Sequence, residues 1–219
     1  MKILSWDIGI LNLSYCILEK NEENQIKIIG WDIVNLVDNE EMKKNRTLIF
    51  ENIPRKLHEI PELLNVDIVV IENQPCLKNP QMKSIQMIMY SYFLILGKVI
   101  GNNTENSTYI DKIDFCSASN KLKIYKGPEI ILQEKVRKNK KINEESKEIE
   151  NKEVESKEES KPKKNTMKYS DKKKLAIEHC KYFLQNQDVD YLDFFNNHKK
   201  KDDLADSYLQ GLYYYSKIK

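Results

Sequence analysis

The sequence predicts a mixed α/β sheet flanked by helices. Three observations carry that prediction. Three apolar, strand-like runs follow one another at the N-terminus, joined by short turns. Helix and strand patterns then alternate. A second pair of helices follows a long charged stretch.

The first run, 2–8 ("KILSWDI"), is a strand. The second is 14–20 ("SYCILEK") and the third is 25–36 ("QIKIIGWDIVNL"). Their connections, "GILN" and "NEEN", are rich in turn residues, which favours antiparallel hairpins. Over 41–60, Leu48, Ile49, Ile53, Leu57 and Ile60 recur at helical spacing, and Pro54 inside that pattern predicts a kink or a split. The run 66–72 ("VDIVVIE") is almost wholly apolar and rich in β-branched residues, as suits a central strand buried on both faces. Pro80 opens and Gly101 closes a long helix over 80–101. A fifth strand is predicted at 107–119, a helix over 170–186 with Ser170 as its N-cap, and a last helix from about 202 to 216.

Between these lies a break in composition. Residues 137–160 hold seven basic and eight acidic residues, three aliphatics and no aromatic, too little apolar surface to offset chain entropy. The expectation is one domain over 1–219, interrupted at about 127–166 by a disordered charged insert; an exposed charged helix is the alternative. The net charge is only +2, so bulk charge does not point to nucleic acid. The four cysteines form no C-x-x-C pair, which argues against a zinc site or disulfide scaffold and for reduced thiols in an intracellular, reducing compartment. No apolar run reaches 18 residues, and the chain opens directly on a strand, so neither a membrane span nor a leader is expected.

Acidic residues against apolar structure are the informative signal, because a buried carboxylate is costly unless it is paired or holds a cation. Asp7 ends the first strand and Glu72 ends "VDIVVIE", and strand ends are where α/β sheets place their chemistry. In "KKDDLADSYL", Asp203 and Asp206 are three apart and share a helix face. Singly, Asp7 could serve a turn, Glu72 could pair with a lysine, and Asp202 or Asp203 could cap the helix. Together, four converging carboxylates make sense around divalent cations. An oxygen-only donor set suits Mg²⁺ or Mn²⁺, and two such ions about 4 Å apart can drive phosphodiester hydrolysis.

These residues resemble the RuvC-like Holliday junction resolvases of the ribonuclease H-like superfamily, and most closely their poxvirus branch. The resemblance rests on "WDIGILNLSYCIL", "IENQP", the "MIMYSYFLI" helix and "KKDDLADSYL", and covers roughly 1–125 and 168–216. It implies a ribonuclease H-like five-stranded mixed sheet with Asp7, Glu72, Asp203 and Asp206 as catalytic metal ligands and Asp202 as a less secure match. It further implies a Mg²⁺-dependent endonuclease with two ions per site, Mn²⁺ being able to substitute. Such an enzyme cuts four-way and other branched DNA symmetrically during viral DNA replication and recombination, in the host cytoplasm. Rival readings are a ribonuclease H acting on RNA–DNA hybrids and a non-catalytic DNA-binding module. A sugar-kinase or actin-like ATPase would need glycine-rich phosphate loops that six glycines do not form.

Around the acids, Lys121, Lys123, Lys199, Lys200, Lys201 and Gln74 are candidate DNA contacts, and His198 is a candidate for proton transfer. The 80–101 helix carries apolar residues on nearly every side, more than one sheet face needs. A homodimer built across this helix is therefore expected.

Overall fold

The computed structural model describes residues 1–77, 79–101, 109–130, 168–187 and 189–218. The charged stretch 137–160 lies outside the described residues.

Five strands form one sheet in the order β3-β2-β1-β4-β5: β1 (Lys2–Asp7), β2 (Leu13–Lys20), β3 (Ile26–Val34), β4 (Ile68–Asn73) and β5 (Lys112–Ser117). The first three are antiparallel neighbours, as their short turns predict. The β1–β2 turn is tight enough that a Cβ at Gly9 would lie 2.4 Å from the Asn12 carbonyl oxygen, so glycine is required there. β1, β4 and β5 run parallel. Their C-terminal ends therefore emerge together along one edge.

Side chains alternate across this sheet. On β1, Leu4 and Trp6 enter one core while Ile3 enters the other. On β4, Val69 and Ile71 enter the first core and Ile68 and Val70 the second. The first core is covered by α2 (Arg46–His58) and α3 (Pro80–Phe93), and the second by α4 (Tyr169–Leu184), α5 (Val189–Asn197) and α6 (Lys201–Tyr215). By the same alternation, Asp7 and Glu72 fall on the α6 side.

Local departures from the sequence expectation have local causes. The 41–60 helix is split at Asn45 and not at Pro54, which α2 accommodates. Asn45 ends α1 (Glu40–Lys44) by donating its N–H to the Met42 carbonyl, and its side chain caps α2 by accepting from the Thr47 N–H. Beyond Phe93, α3 continues as a wider π-helical stretch over Leu94–Ile100. Ser170 is not the cap of α4, because the helix already includes Tyr169; Ser170 lies within its first turn. Helix α5 was not anticipated.

Candidate active site

The site is built at the C-terminal ends of β1 and β4. Asp7 and Glu72 end two adjacent parallel strands, point to the same face, and are each 7% exposed. Helix α6 lies across that face and brings Asp206 to them. Two contacts fix its height. The Gln210 side-chain amide donates to Ser5 Oγ at 3.1 Å and to the Trp6 carbonyl at 3.0 Å, and the Ser207 and Ser14 hydroxyls meet at 2.8 Å. At Gly211 the helix approaches so closely that a Cβ would lie 2.7 Å from Leu18 Cδ1.

The centre of the cluster is a lysine. After β5 the chain turns over the strand ends in a 3₁₀ segment, Ala118–Ile124, which delivers Lys121 into the middle of the acids. Its Nζ lies 2.5 Å from Asp7 Oδ1, 3.0 Å from Glu72 Oε1 and 3.1 Å from Asp206 Oδ2. Lys121 is only 4% exposed. Lys121, a candidate DNA contact from sequence, thus lies inside the acid cluster on the wall of its cleft. Burial works against its charge, but Asp7, Asp206 and Glu72 outweigh burial and hold its pKa well above the usual lysine value. Burial pushes the Asp7 carboxyl well up, against the pull of Lys121, and Glu72 and Asp206 add to the rise. Burial also raises Asp206. Three carboxylates against one ammonium leave negative charge to spare. The cluster answers that surplus by keeping a proton or by taking up more positive charge than one ammonium carries.

Asp203 lines the same cleft, one turn before Asp206, and is raised by burial and by neighbouring Asp202. Asp202 behaves differently. Burial would raise it, but the Lys173 ammonium, 2.5 Å away, outweighs burial and holds it below the usual carboxylate range. Of the two adjacent acids, Asp203 is the one that faces the cluster's cleft. That cleft has a volume of about 600 Å³ and is walled by Tyr169, Lys172 and Lys173 from α4. Among the described residues no three Asp, Glu, His or Cys side chains are grouped as a metal ion would need them, and the Lys121 ammonium lies between the acids.

The remaining sequence candidates divide. Gln74 lines the cleft, but its amide is spent on Glu72: Nε2 donates to Glu72 Oε2 at 2.6 Å. The Gln74 backbone N–H is held by Gln86 Oε1 of α3 at 2.8 Å. Lys123 is tied to Asn120 Oδ1 on the outside of the 3₁₀ segment. Lys199 and Lys200 are exposed just before α6, and Lys201 Nζ donates to the His198 carbonyl at 2.9 Å. His198 does not line the cleft; its Nδ1 accepts from the Lys200 N–H and its ring leans on Phe194. From sequence the lysine at the centre stands, with Lys123, only as a candidate DNA contact beside the acids and not among them. Its position one turn past the fifth strand is visible in the sequence, but only the pairing of β5 with β4 brings that turn over the acids.

No family model matches the chain. An uncharacterized protein of Acanthamoeba polyphaga mimivirus, L451, is 25% identical in an alignment spanning 98% of this chain and 74% of that protein. Among solved structures, the fowlpox virus Holliday junction resolvase superposes with a TM-score of 0.56 at 19% identity, covering both chains completely. The fowlpox virus resolvase solved with substrate Holliday junction DNA gives 0.55 at 22% identity, again over both complete chains. A yeast mitochondrial Holliday junction resolvase gives 0.57 at 15% identity over 97% of this chain and 78% of its own. The chain thus has the fold of these resolvases, the ribonuclease H-like mixed sheet expected from the sequence.

Proposed function

We propose that this chain is a divalent-metal-dependent endonuclease that cuts branched DNA, four-way junctions above all, by phosphodiester hydrolysis. The carrying observation is the convergence of Asp7, Glu72 and Asp206 on one buried positive charge, with Asp203 on the rim of the same cleft. The fold shared with the fowlpox virus resolvase, whose structure with its junction substrate is known, supports that reading. The viral relatives support a place in viral DNA replication and recombination, with 1–219 acting as a single nuclease domain.

The donor set fits Mg²⁺ or Mn²⁺. It is all oxygen, it is held by rigid elements, and it already gathers round a cation. Asp7, Glu72, Asp203 and Asp206 are the residues that would hold the ions, two per site. Bound there, they supply an activated water and neutralise charge on the leaving 3′ oxygen. The protein's own part is positioning. Gln74 fixes the second oxygen of Glu72, so that carboxylate keeps one orientation. Lys172 and Lys173 on the cleft wall, with exposed Lys123, Lys199 and Lys200 on the segments leading into it, offer point charges to phosphates. Binding that rests on them weakens steeply as salt rises.

A second copy belongs to the same proposal. Met87, Ile95 and Ile100 are exposed on α3 and its π-helical extension, beside half-buried Ile88 and Leu96. Two sites related by a two-fold axis suit a four-way junction, whose arms are themselves nearly two-fold. The test is cleavage in Mg²⁺ of a four-way junction, a linear duplex and an RNA–DNA hybrid, with sedimentation of the same sample. Paired nicks in the junction, abolished by Asp7→Asn, and a mass twice 25.9 kDa are expected. Cleavage of the hybrid in preference to the junction would move the assignment to ribonuclease H. A folded protein that cuts none of the three is no nuclease.

A further inference from the structure

The geometry points to Lys121 as a built-in counter-cation that competes with divalent metal for the same carboxylate oxygens. The inference rests on the reading of the cluster as a metal site and goes one step past it. It assigns what holds the acids together when no divalent ion does, and what must move when one arrives.

Three contacts define the competition. The ammonium touches Asp7 Oδ1, Glu72 Oε1 and Asp206 Oδ2 within 3.1 Å. The other Glu72 oxygen is spent on Gln74. The inward-facing oxygens of three elements are therefore committed to one nitrogen. A divalent ion needs those oxygens at about 2.0–2.6 Å. The ammonium, on those same lone pairs at 2.5–3.1 Å, stands in the space that ion would need. One cation must leave.

Lys121 is placed so that it can. It sits on a 3₁₀ segment, whose i→i+3 bonds are weaker than those of an α-helix, and the segment lacks a side-chain cap at its start. The end of the segment is anchored instead: the Tyr125 ring stacks on His179 at 4.0 Å and 9°, and its hydroxyl donates to the Pro128 carbonyl at 2.8 Å. With Leu122 and Ile124 packed on the second core and Tyr125 anchored, the backbone of the segment stays in place and the movement falls to the four-carbon stem of Lys121. Lys121 itself lines the roughly 600 Å³ cleft, so the space it would swing into adjoins it. A lysine suits this role better than an arginine would, because its single charged nitrogen makes no bidentate fork that a metal would have to break.

The test reads metal binding, not cleavage. Mn²⁺ is titrated calorimetrically into the full chain without DNA, for wild type, Lys121→Met, Lys121→Gln and Asp7→Asn. Melting temperatures are taken for each in chelator and in Mn²⁺. With the competitor gone, Lys121→Met and Lys121→Gln should bind Mn²⁺ roughly tenfold or more tightly than wild type. They should melt below wild type in chelator and gain more from Mn²⁺ than wild type does. Asp7→Asn should lose binding. Equal or weaker Mn²⁺ binding by both Lys121 variants would overturn the competition while leaving the metal site intact. Absence of binding in wild type and in both Lys121 variants would overturn the metal site itself, a result distinct from the first.

Discussion

The chain's two tryptophans lie on opposite faces of the sheet and are held in opposite ways. Trp31, on the α6 side, stacks on Phe195 and donates its indole N–H to the Leu204 carbonyl at 3.1 Å. Trp6, on the α3 side, packs against Tyr15 and Phe93, and its N–H has no partner among the described residues. The difference extends over both faces. The α6 side is latched by Gln210 on Ser5 and Trp6, Ser207 on Ser14, Tyr215 on the Met1 and Leu18 carbonyls, and Gln187 on β3. The α3 side is chiefly hydrocarbon. Hydrogen bonds are directional and fix a register; apolar contact fixes only a distance. The side that must aim Asp206 at two strand ends is the latched one, and the side left to apolar packing is the one with apolar surface still exposed.

The largest effect that tests this contrast comes from the α3 side. Phe93 is fully buried between α3 and the sheet. Phe93→Ala should cost about 3–5 kcal/mol in urea unfolding, while the volume-conserving Met89→Leu costs less than about 1.5 kcal/mol. Neither touches the acids. Below its lowered unfolding midpoint, Phe93→Ala should retain metal binding close to wild type. Loss of Mn²⁺ binding by a folded Phe93→Ala protein would mean that the apolar side also aims the site.

A smaller loss of stability with a larger loss of function is expected from the latched side. Gln210 is fully buried, one helical turn beyond Asp206, and its amide satisfies Ser5 and the Trp6 carbonyl immediately before Asp7. Gln210→Ala should destabilise by about 1–3 kcal/mol, since it removes two buried hydrogen bonds to β1. Mn²⁺ affinity should fall by more than the change in folded fraction explains, because α6 is then free to shift against β1. Unchanged affinity in this variant would show that packing at Gly211 alone sets the helix height.

The same contrast explains what the sequence disclosed. Strand alternation and the apolar β4 run are local patterns, so Asp7 and Glu72 were placed at their strand ends from sequence, and Asp203 and Asp206 on one helix face. The place where the 41–60 helix divides was not legible from Pro54, because Asn45 supplies both the C-terminal and N-terminal caps there. Helix α5 is only nine residues long, too short for a helical period to stand out against its charges. The place of Lys121 at the centre of the acids was not legible from its neighbourhood. Its role depends on β5 pairing with β4, a contact between residues 44 apart in sequence, and sequence spacing carries no such information. The local half of the site was legible and the tertiary half was not.

The smallest effect sharpens the comparison most, because it uses adjacent residues of one strand. On β5, Asp114 faces the α6 side, where Tyr214 donates to its Oδ2 at 2.8 Å and Lys112 lies 2.8 Å away. Phe115 faces the α3 side and stacks on Tyr90 at 5.4 Å. Burial would raise the Asp114 carboxyl, but Lys112, Tyr214 and the Phe115 N–H outweigh burial and hold it below the usual carboxylate range. A carboxylate with a depressed folded-state pKa adds stability that is fully present above its unfolded value and is lost as pH falls through the folded value. Asp114→Asn should therefore be less stable than wild type at neutral pH, with the gap closing only below about pH 4. Because the Asp114 side chain is 38% exposed and Lys112 is 58% exposed, solvent screens the pair, and the loss should stay under about 1 kcal/mol and shrink in high salt. Phe115→Leu removes a ring contact worth about 0.5–1.5 kcal/mol, and its loss should be the same from about pH 2 to pH 8 and at any salt. Urea unfolding of both variants across that range measures the two profiles side by side. A flat profile for Asp114→Asn, or a pH-dependent one for Phe115→Leu, would erase the distinction between a polar and an apolar side at the point where the two are one residue apart.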